Sequence, residues 1–149
     1  MNTSYSIMKM VIKMRFGLSD ECYIQKKKTY IMVFNKLKDA INYGNSEVIK
    51  DAVIRRFEYT FEIACKTVKS YLELIGVHDK VGSPREIIQT GYKQGIIEDG
   101  ESWIKMMLSR NSLSHIYDEK TSREIYEYIV SEYIDLFENL KKKLNEEIL

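Results

Sequence analysis

The chain has 149 residues, a length that predicts one domain with a hydrophobic core of its own. Apolar residues make up 44% and charged residues 30%, which is the balance of a soluble globular protein. The 23 basic residues are nearly matched by 22 acidic ones, so there is no basic excess for non-specific binding of nucleic acid. Any contact with RNA must therefore be local to a site.

Cys22 and Cys65 are too few and too far apart to form a zinc cluster or a disulfide framework. No cleavable signal peptide is visible, so we interpret them as reduced thiols in a cytoplasmic protein, with Cys65 packed inside a helical apolar pattern. The apolar run at residues 7–11 is interrupted by lysine and is far too short for a membrane span. The sequence thus predicts no membrane partner.

Seven glycines and one proline leave few positions at which a helix would break, and no stretch has the sustained alternation of a strand. Residues 1–18 lack a clean pattern and are predicted to form a loosely ordered arm. Residues 19–149 are predicted to be one helical domain. Its first helix begins at Ser19, with Asp20 and Glu21 where the helix dipole favours acidic groups, and ends at Gly44. The apolar positions of this helix are Tyr30, Phe34, Leu37 and Ile41.

The second helix is predicted to begin at Ser46 and to end at a glycine cap, Gly76. Its apolar residues recur along one face for almost its whole length: Ile49, Val53, Phe57, Phe61, Ala64, Val68, Tyr71 and Ile75. A short third helix is predicted to begin at the capping box of residues 83–86, with Pro84 at its first position, and to stop near Gly95.

A fourth helix is predicted to start around Asp99 and Gly100. It carries three residues that we interpret as core or dimer-packing groups, Trp103, Met106 and Met107. Residues 121–124, Thr-Ser-Arg-Glu, have the pattern of a second capping box and precede the last helix. The apolar stripe of that helix is Tyr126, Val130, Tyr133, Phe137, Leu140 and Leu144. These elements predict an all-α fold, an antiparallel helical bundle of four main helices plus a short one.

Residues 110–117 (RNSLSHIY) follow a helical stretch at 102–109. Arg110 and His115 are five positions apart, which on a continuing helix puts them nearly on one face and lets both reach one phosphate. An arginine that holds an oxyanion and a histidine that moves a proton near neutral pH are the minimal set for RNA cleavage without a metal ion. A histidine that caps a helix end or pairs with Asp118 would have the same spacing, so spacing alone leaves both interpretations open.

Four segments carry a resemblance: 51–66 (DAVIRRFEYTFEIACK), 83–87 (SPREI), 99–104 (DGESWI) and 110–117 (RNSLSHIY). On these segments, in this order, the chain resembles the HEPN superfamily, in the branch of nucleotidyltransferase substrate-binding proteins. The likeness extends loosely from Thr29 to the C-terminus. Arg110 and His115 fall at the two ends of the family's R-x4-6-H motif, and Asn111 fits the polar residue that commonly follows the arginine.

The resemblance implies a homodimer that brings two copies of the motif into one cleft. His115 would activate the ribose 2′-hydroxyl or protonate the leaving oxygen, and Arg110 would hold the phosphorane charge. Asn111 would donate a supporting hydrogen bond. The product would be a 2′,3′-cyclic phosphate, with no metal or other cofactor. The protein would then be the toxin half of a toxin–antitoxin pair with a minimal nucleotidyltransferase encoded nearby.

In one branch of the family the motif extends to R-x4-H-x-Y, and the partner nucleotidyltransferase adenylylates that tyrosine. Arg110, His115 and Tyr117 match the extension, which implies that Tyr117 is the modified residue. The alternative is an ordinary loop tyrosine, one of 11 in the chain.

A second function shares the fold, the dimer and the partner. It is a non-catalytic subunit that presents a nucleotide or RNA to the nucleotidyltransferase and uses the cleft only for binding. The intact pair of Arg110 and His115 favours the enzyme, whereas the neutral overall charge favours the binding subunit. A structural bundle without a site would require the four-segment match to be accidental. The lysine runs 26–28 and 141–143 are interpreted as solvated faces, and the acidic residues show no metal-ligand spacing.

Overall fold

The structure is a computed structural model that describes residues 17–77, 81–113 and 118–146. Its helices are α1 (Gly17–Tyr43), α2 (Glu47–Leu74), α3 (Pro84–Lys93), α4 (Gly100–Leu113), α5 (Glu119–Tyr128) and α6 (Ile134–Glu146), and a π-helical turn, Ile129–Tyr133, joins α5 to α6. Within these residues there is no strand. The main helices are α1, α2, α4 and the continuous rod of α5 and α6, and α3 is the short one, so the predicted all-α bundle is confirmed.

The predicted arm falls almost entirely on residues 1–16, which lie outside the described part of the chain. Helix α1 begins at Gly17, two positions before the predicted start at Ser19. No helix of the described ranges has the length and apolar character needed to cross a membrane.

The ends of α2 are fixed by the capping residues that the sequence predicts. Ser46 accepts a hydrogen bond from the Ile49 N–H at 3.3 Å, which satisfies one of the donors left over in the first turn. At the other end Gly76 has a φ of +80°, and the Val77 N–H donates to the Leu72 carbonyl at 3.0 Å. This is the Schellman arrangement, which needs a left-handed residue at the position of the glycine.

The capping box at the start of α3 is also present. The Glu86 N–H donates to the Ser83 hydroxyl at 3.2 Å, and the Ser83 N–H donates to the Glu86 carboxylate at 3.0 Å. Pro84 occupies the first turn, where a missing N–H costs nothing. These bonds fix the point at which the chain enters α3.

Helices α1 and α2 form an antiparallel pair. The hydroxyl oxygens of Thr60 and Thr67 on α2 lie 3.5 Å and 3.2 Å from the carbonyl oxygens of Val33 and Lys26 on α1, while each hydroxyl makes its shorter hydrogen bond within α2. The later of these residues on α2, Thr67, lies beside the earlier residue on α1, Lys26, so the two helices run in opposite directions.

An aromatic cluster fills the interior where α6 meets α1, α2 and α4. Its centre is Phe137, whose ring centroid lies within 6.2 Å of those of Phe34, Phe57 and Trp103. Such pairs contribute about 0.5–1.5 kcal/mol each beyond the area they bury. The Tyr30 hydroxyl donates to the Phe137 carbonyl at 2.7 Å, and burial raises the pKa of Tyr30 well above its ordinary value, which keeps it a neutral donor.

The predicted apolar stripe of the last helix is wrong at Val130. This residue is 41% exposed, whereas its neighbour Ile129 is buried. The cause is the π-helical turn, whose wider i→i+5 hydrogen bonding shifts the register of the rod. The other predicted positions of the stripe are buried: Tyr126, Tyr133, Phe137, Leu140 and Leu144.

The capping box predicted at residues 121–124 is wrong, because α5 begins earlier with Asp118 as its N-cap. The Asp118 carboxylate accepts from the Thr121 hydroxyl at 2.9 Å and from the Lys120 N–H at 3.0 Å, and these bonds lower its pKa. A carboxylate is favoured over a neutral hydroxyl at the positive end of a helix. Thr121 therefore lies inside the first turn.

The interpretation of residues 26–28 as a solvated face is wrong for Lys27. Its side chain is only 9% exposed, and its Nζ donates to the Leu144 carbonyl at 3.0 Å. This contact joins α1 to the last turn of α6, where the helix dipole favours a cation, and burial lowers the pKa of Lys27.

Candidate functional site

The motif that carries the predicted chemistry lies at the C-terminal end of α4. The helix continues past the predicted stretch of 102–109 and runs to Leu113, so Arg110 and Asn111 lie in its last turn. Asn111 is exposed and Arg110 is half-buried. His115 and Tyr117 lie outside the described residues. The chain is described again from Asp118, the N-cap of α5.

The last turn of α4 is anchored by the residue before Arg110. The hydroxyl oxygens of Ser109 and Tyr133 lie 2.6 Å apart. Tyr133 belongs to the π-helical turn, and its ring stacks on Phe57 at a centroid distance of 5.5 Å. A π-helical turn thus holds the helix end that presents the arginine, consistent with the frequent use of such turns beside functional groups.

The Arg110 guanidinium lies over the ring of Phe61, with Cζ 6.0 Å from the ring centroid. This distance is at the outer limit of a cation–π contact. Phe61 is itself held by Trp103 of α4, at a centroid distance of 6.3 Å. The aromatic core therefore supports the arginine, and both Phe61 and Arg110 line a cavity.

That cavity lies between α2, α3 and α4 and has a volume of about 300 Å³. We call it the Arg110 cavity. Its wall on α2 consists of residues one helical turn apart or adjacent, which places them on one face of that helix. The described residues that line it are Phe61, Glu62, Cys65, Lys66, Lys69, Gly82, Pro84, Ile87 and Arg110.

The lining of the Arg110 cavity is basic. Its described residues include three cations and one carboxylate, and that carboxylate, Glu62, lies 3.1 Å from Lys66 in an exposed ion pair. Exposed pairs of this kind are weak, because water screens them and both side chains lose freedom. Neither Arg110 nor Lys69 forms an ion pair with any residue that the structure describes. The cavity therefore has positive charge available for an anion.

Cys65 is buried, as predicted, and lies in the wall of the same cavity. Burial raises the pKa of its thiol to about 12, and the positive charge of Arg110 opposes that rise. At neutral pH the group is a neutral thiol. Since the thiolate is the nucleophilic form, this cysteine does not supply a nucleophile, and it does not neutralise the arginine.

A second cavity, of about 400 Å³, lies between the start of α2 and the start of α5. Lys50 and Arg123 are balanced there by Asp51, Asp118 and other acidic groups, so the wall has no excess of positive charge. Across the described ranges, no group of three or more His, Cys, Asp or Glu side chains is placed to hold a metal ion. The Arg110 cavity is therefore the better candidate for phosphate chemistry.

Sequence reasoning identified Arg110 and missed Lys66 and Lys69. Their spacing from Phe61, Glu62 and Cys65 places them on one face of α2, a signal that the sequence does contain. The sequence does not indicate that α4 brings its arginine to that face. That approach depends on the packing of Trp103 against Phe61.

Comparisons with known proteins agree with this architecture. Residues 25–146 match the model of a family described as nucleotidyltransferase substrate binding protein like. The chain is also similar to a protein from Thermus thermophilus that has a crystal structure, with 29% sequence identity and a TM-score of 0.69. That similarity covers 77% of this chain and 98% of the other. No curated protein matches the sequence.

Proposed function

Because the chain belongs to the nucleotidyltransferase substrate binding protein like family, we propose that it works beside a nucleotidyltransferase and that its own site cleaves RNA without a metal ion. In this proposal Arg110 and His115 are the catalytic residues, and Asn111 donates a supporting hydrogen bond. The protein is then the toxin half of a toxin–antitoxin pair.

The observation that carries the proposal is the position of Arg110. Arg110 lines an open basic cavity, and its guanidinium forms no ion pair within the described ranges. A planar guanidinium binds two phosphate oxygens at once and stabilises the charge that grows on them in the phosphorane. An arginine already paired with a carboxylate would have to break that pair first.

The proposed reaction is an internal transfer at phosphorus. His115 takes the proton of the ribose 2′-hydroxyl, and the 2′-oxygen attacks the adjacent phosphorus. The bond from phosphorus to the 5′-oxygen breaks, and the protonated imidazole of His115 returns the proton to that leaving oxygen. The products are a 2′,3′-cyclic phosphate and a free 5′-hydroxyl. Arg110 contributes charge stabilisation only.

We further propose that the site is completed in a homodimer. Leu108 and Tyr128 are 50% and 40% exposed, and both flank Lys105, whose Nζ lies 4.0 Å above the Tyr128 ring. Leu108 lies two positions before Arg110 near the end of α4, although the two side chains point to different faces of that helix. A second copy that packed on this apolar surface would bring its own motif towards the first.

A second candidate function is a non-catalytic subunit that binds a nucleotide or RNA for the nucleotidyltransferase. The composition of the Arg110 cavity favours it, because the described residues of its wall supply cations and a neutral thiol and include no histidine. In that case the cavity would hold phosphate, and the partner would perform the chemistry.

Cleavage of a labelled oligoribonucleotide in the presence of EDTA separates the two functions. Arg110→Ala and His115→Ala should each slow cleavage by at least about 100-fold. Arg55→Ala is the matched control, since Arg55 is exposed on α2 and does not line the cavity. A requirement for a divalent ion, or full activity in both variants, would contradict the mechanism. If the wild-type protein binds the oligoribonucleotide but does not cleave it, the result would favour the non-catalytic subunit.

A further inference from the structure

We infer that the Arg110 cavity binds a phosphate group of a nucleotide or of RNA through Lys69 and Arg110, with Lys66 as an additional cation. The inference shares one residue, Arg110, with the proposed function and deepens it by assigning the ligand class. Lys66 and Lys69 lie outside the R-x4-H motif.

Two cations reach the cavity from different helices. Lys69 is one turn beyond Cys65 on α2, and Arg110 comes from the last turn of α4. Both line the same space of about 300 Å³. Like charges that share a cavity repel each other, and an anion between them removes that repulsion. The arrangement is therefore suited to a ligand with more than one negative oxygen.

The two side chains offer complementary donors. A guanidinium presents a flat pair of N–H groups that matches two phosphate oxygens, and an ammonium presents a compact charge with three rotatable donors. Lys66 adds a third cation, since its exposed pair with Glu62 is weak enough to exchange for a ligand. A phosphate with two or three free oxygens satisfies this set better than a carboxylate does.

The start of α3 borders the cavity but does not supply the anion site. Its capping box places the Glu86 carboxylate on the Ser83 N–H, so a negative group already occupies that helix end. The α3 residues that line the cavity are Pro84 and Ile87. They form an apolar wall beside the cations, which fits the sugar or base of a phosphate ester rather than a bare ion.

The size of the cavity agrees with this ligand. Small-molecule pockets are typically about 300–1,000 Å³, so the Arg110 cavity lies at the lower end of that range. It has room for one nucleotide unit. The Cys65 thiol in its wall keeps its proton at neutral pH, so this group does not neutralise Lys69 or Arg110.

The test is a titration of the full chain with three probes: AMP, adenosine and a short 2′-O-methyl oligoribonucleotide that cannot be cleaved. AMP should bind at least about tenfold more tightly than adenosine, because charge-assisted bonds to phosphate are the stronger ones. Lys69→Gln should remove most of this difference, and Lys69→Arg should keep it. Lys142→Gln is the matched control, an exposed lysine of α6 outside the cavity. Circular dichroism checks that each variant keeps its helices.

The probes also identify the source of the phosphate. Lys69-dependent binding of AMP supports a nucleotide ligand, and Lys69-dependent binding of the oligoribonucleotide supports an RNA phosphate. For the oligoribonucleotide, the dependence of log affinity on log salt should become shallower by about 0.7 for each phosphate that the variant no longer binds. Equal binding of AMP and adenosine, together with an oligoribonucleotide affinity unchanged in Lys69→Gln, would overturn the inference.

His115→Ala separates this inference from the proposed function. It should lose cleavage and retain the Lys69-dependent binding. If the wild-type protein never cleaves RNA but binding still depends on Lys69, the ribonuclease proposal fails and the phosphate site stands. If His115→Ala abolishes cleavage while Lys69→Gln binds every probe like the wild type, the phosphate site fails and the ribonuclease stands.

Discussion

The hydroxyl oxygens of Ser109 and Tyr133 lie 2.6 Å apart, so the residue next to Arg110 is tied to the π-helical turn. Tyr133→Phe removes this bond and keeps the ring that stacks on Phe57. The free energy of unfolding should fall by about 1 kcal/mol, the usual contribution of such a bond. Ser109→Ala should have a similar effect, and urea unfolding of both single variants and the double variant measures the coupling. Additive effects would show that the two hydroxyls do not stabilise each other.

The left-handed glycines at two helix ends provide a second prediction. Gly76 and Gly95 have φ values of +80° and +82°, and no described atom lies within 4 Å of a Cβ added at either position. Alanine at each should therefore cost about 1 kcal/mol for conformational reasons alone. Gly82→Ala is the control, since its added Cβ would lie an ordinary 3.8 Å from Glu86 Oε1. Equal unfolding midpoints for all three variants would contradict the assignment of strain to φ.

Much of the fold follows from local signals in the sequence. Serine caps at Ser46 and Ser83 and glycine ends at Gly44, Gly76 and Gly95 act through the backbone of their own helices, so the sequence alone locates them. Val130 was misplaced for a different reason. The π-helical turn changes the register of the rod at Tyr133, which contacts Phe57 of α2 and Ser109 of α4, and a regular helical period does not indicate such a turn.

The site was predictable only in part. The motif identified Arg110, but the cavity that it faces depends on the contact between α2 and α4, which joins positions far apart in sequence. Lys27 also depends on a distant contact. A lysine within a basic run is expected to be solvated, but the carbonyl group of Leu144, far along the chain, accepts a buried hydrogen bond from it. Side chains with long stems pack against apolar surface in ways that composition does not reveal.

Stability should depend on pH through Cys65. Burial raises its folded-state pKa to about 12 from an ordinary value of 9.0, so above pH 9 the unfolded chain loses a proton that the folded chain keeps. The free energy of unfolding should decrease as the pH rises from 9 towards 12, by at most about 1.4 kcal/mol per pH unit. Cys65→Ala should remove this part of the slope, and Cys22→Ala, at an exposed position, should not. Identical slopes for both variants in urea unfolding would contradict the prediction.

The proposed homodimer can be tested at Leu108. Leu108→Glu places a charge on the exposed apolar surface beside Lys105 and should shift the protein from dimer to monomer in light-scattering measurements. RNA cleavage should fall with the dimer, because each copy completes the cleft of the other. Val48→Glu is the matched control, an apolar residue of α2 that is 78% exposed. A Leu108→Glu protein that stays dimeric would locate the interface elsewhere, and a monomer with full activity would remove the composite cleft.

The final prediction concerns Tyr117, which we expect a cognate nucleotidyltransferase to adenylylate. An AMP attached to Tyr117 would place a phosphate seven positions along the chain from Arg110. This phosphate would compete with the RNA phosphate for the Arg110 guanidinium and would repel the RNA backbone, so the modification should abolish cleavage. Incubation with the partner and ATP should add at least one AMP mass per chain in intact mass spectrometry, and Tyr117→Phe should remove that addition. Tyr92→Phe is the control, because Tyr92 is 57% exposed and lies outside the motif. An unmodified wild-type protein that the partner still inhibits would show that binding alone neutralises it. An addition that persists in Tyr117→Phe would move the modification to another residue.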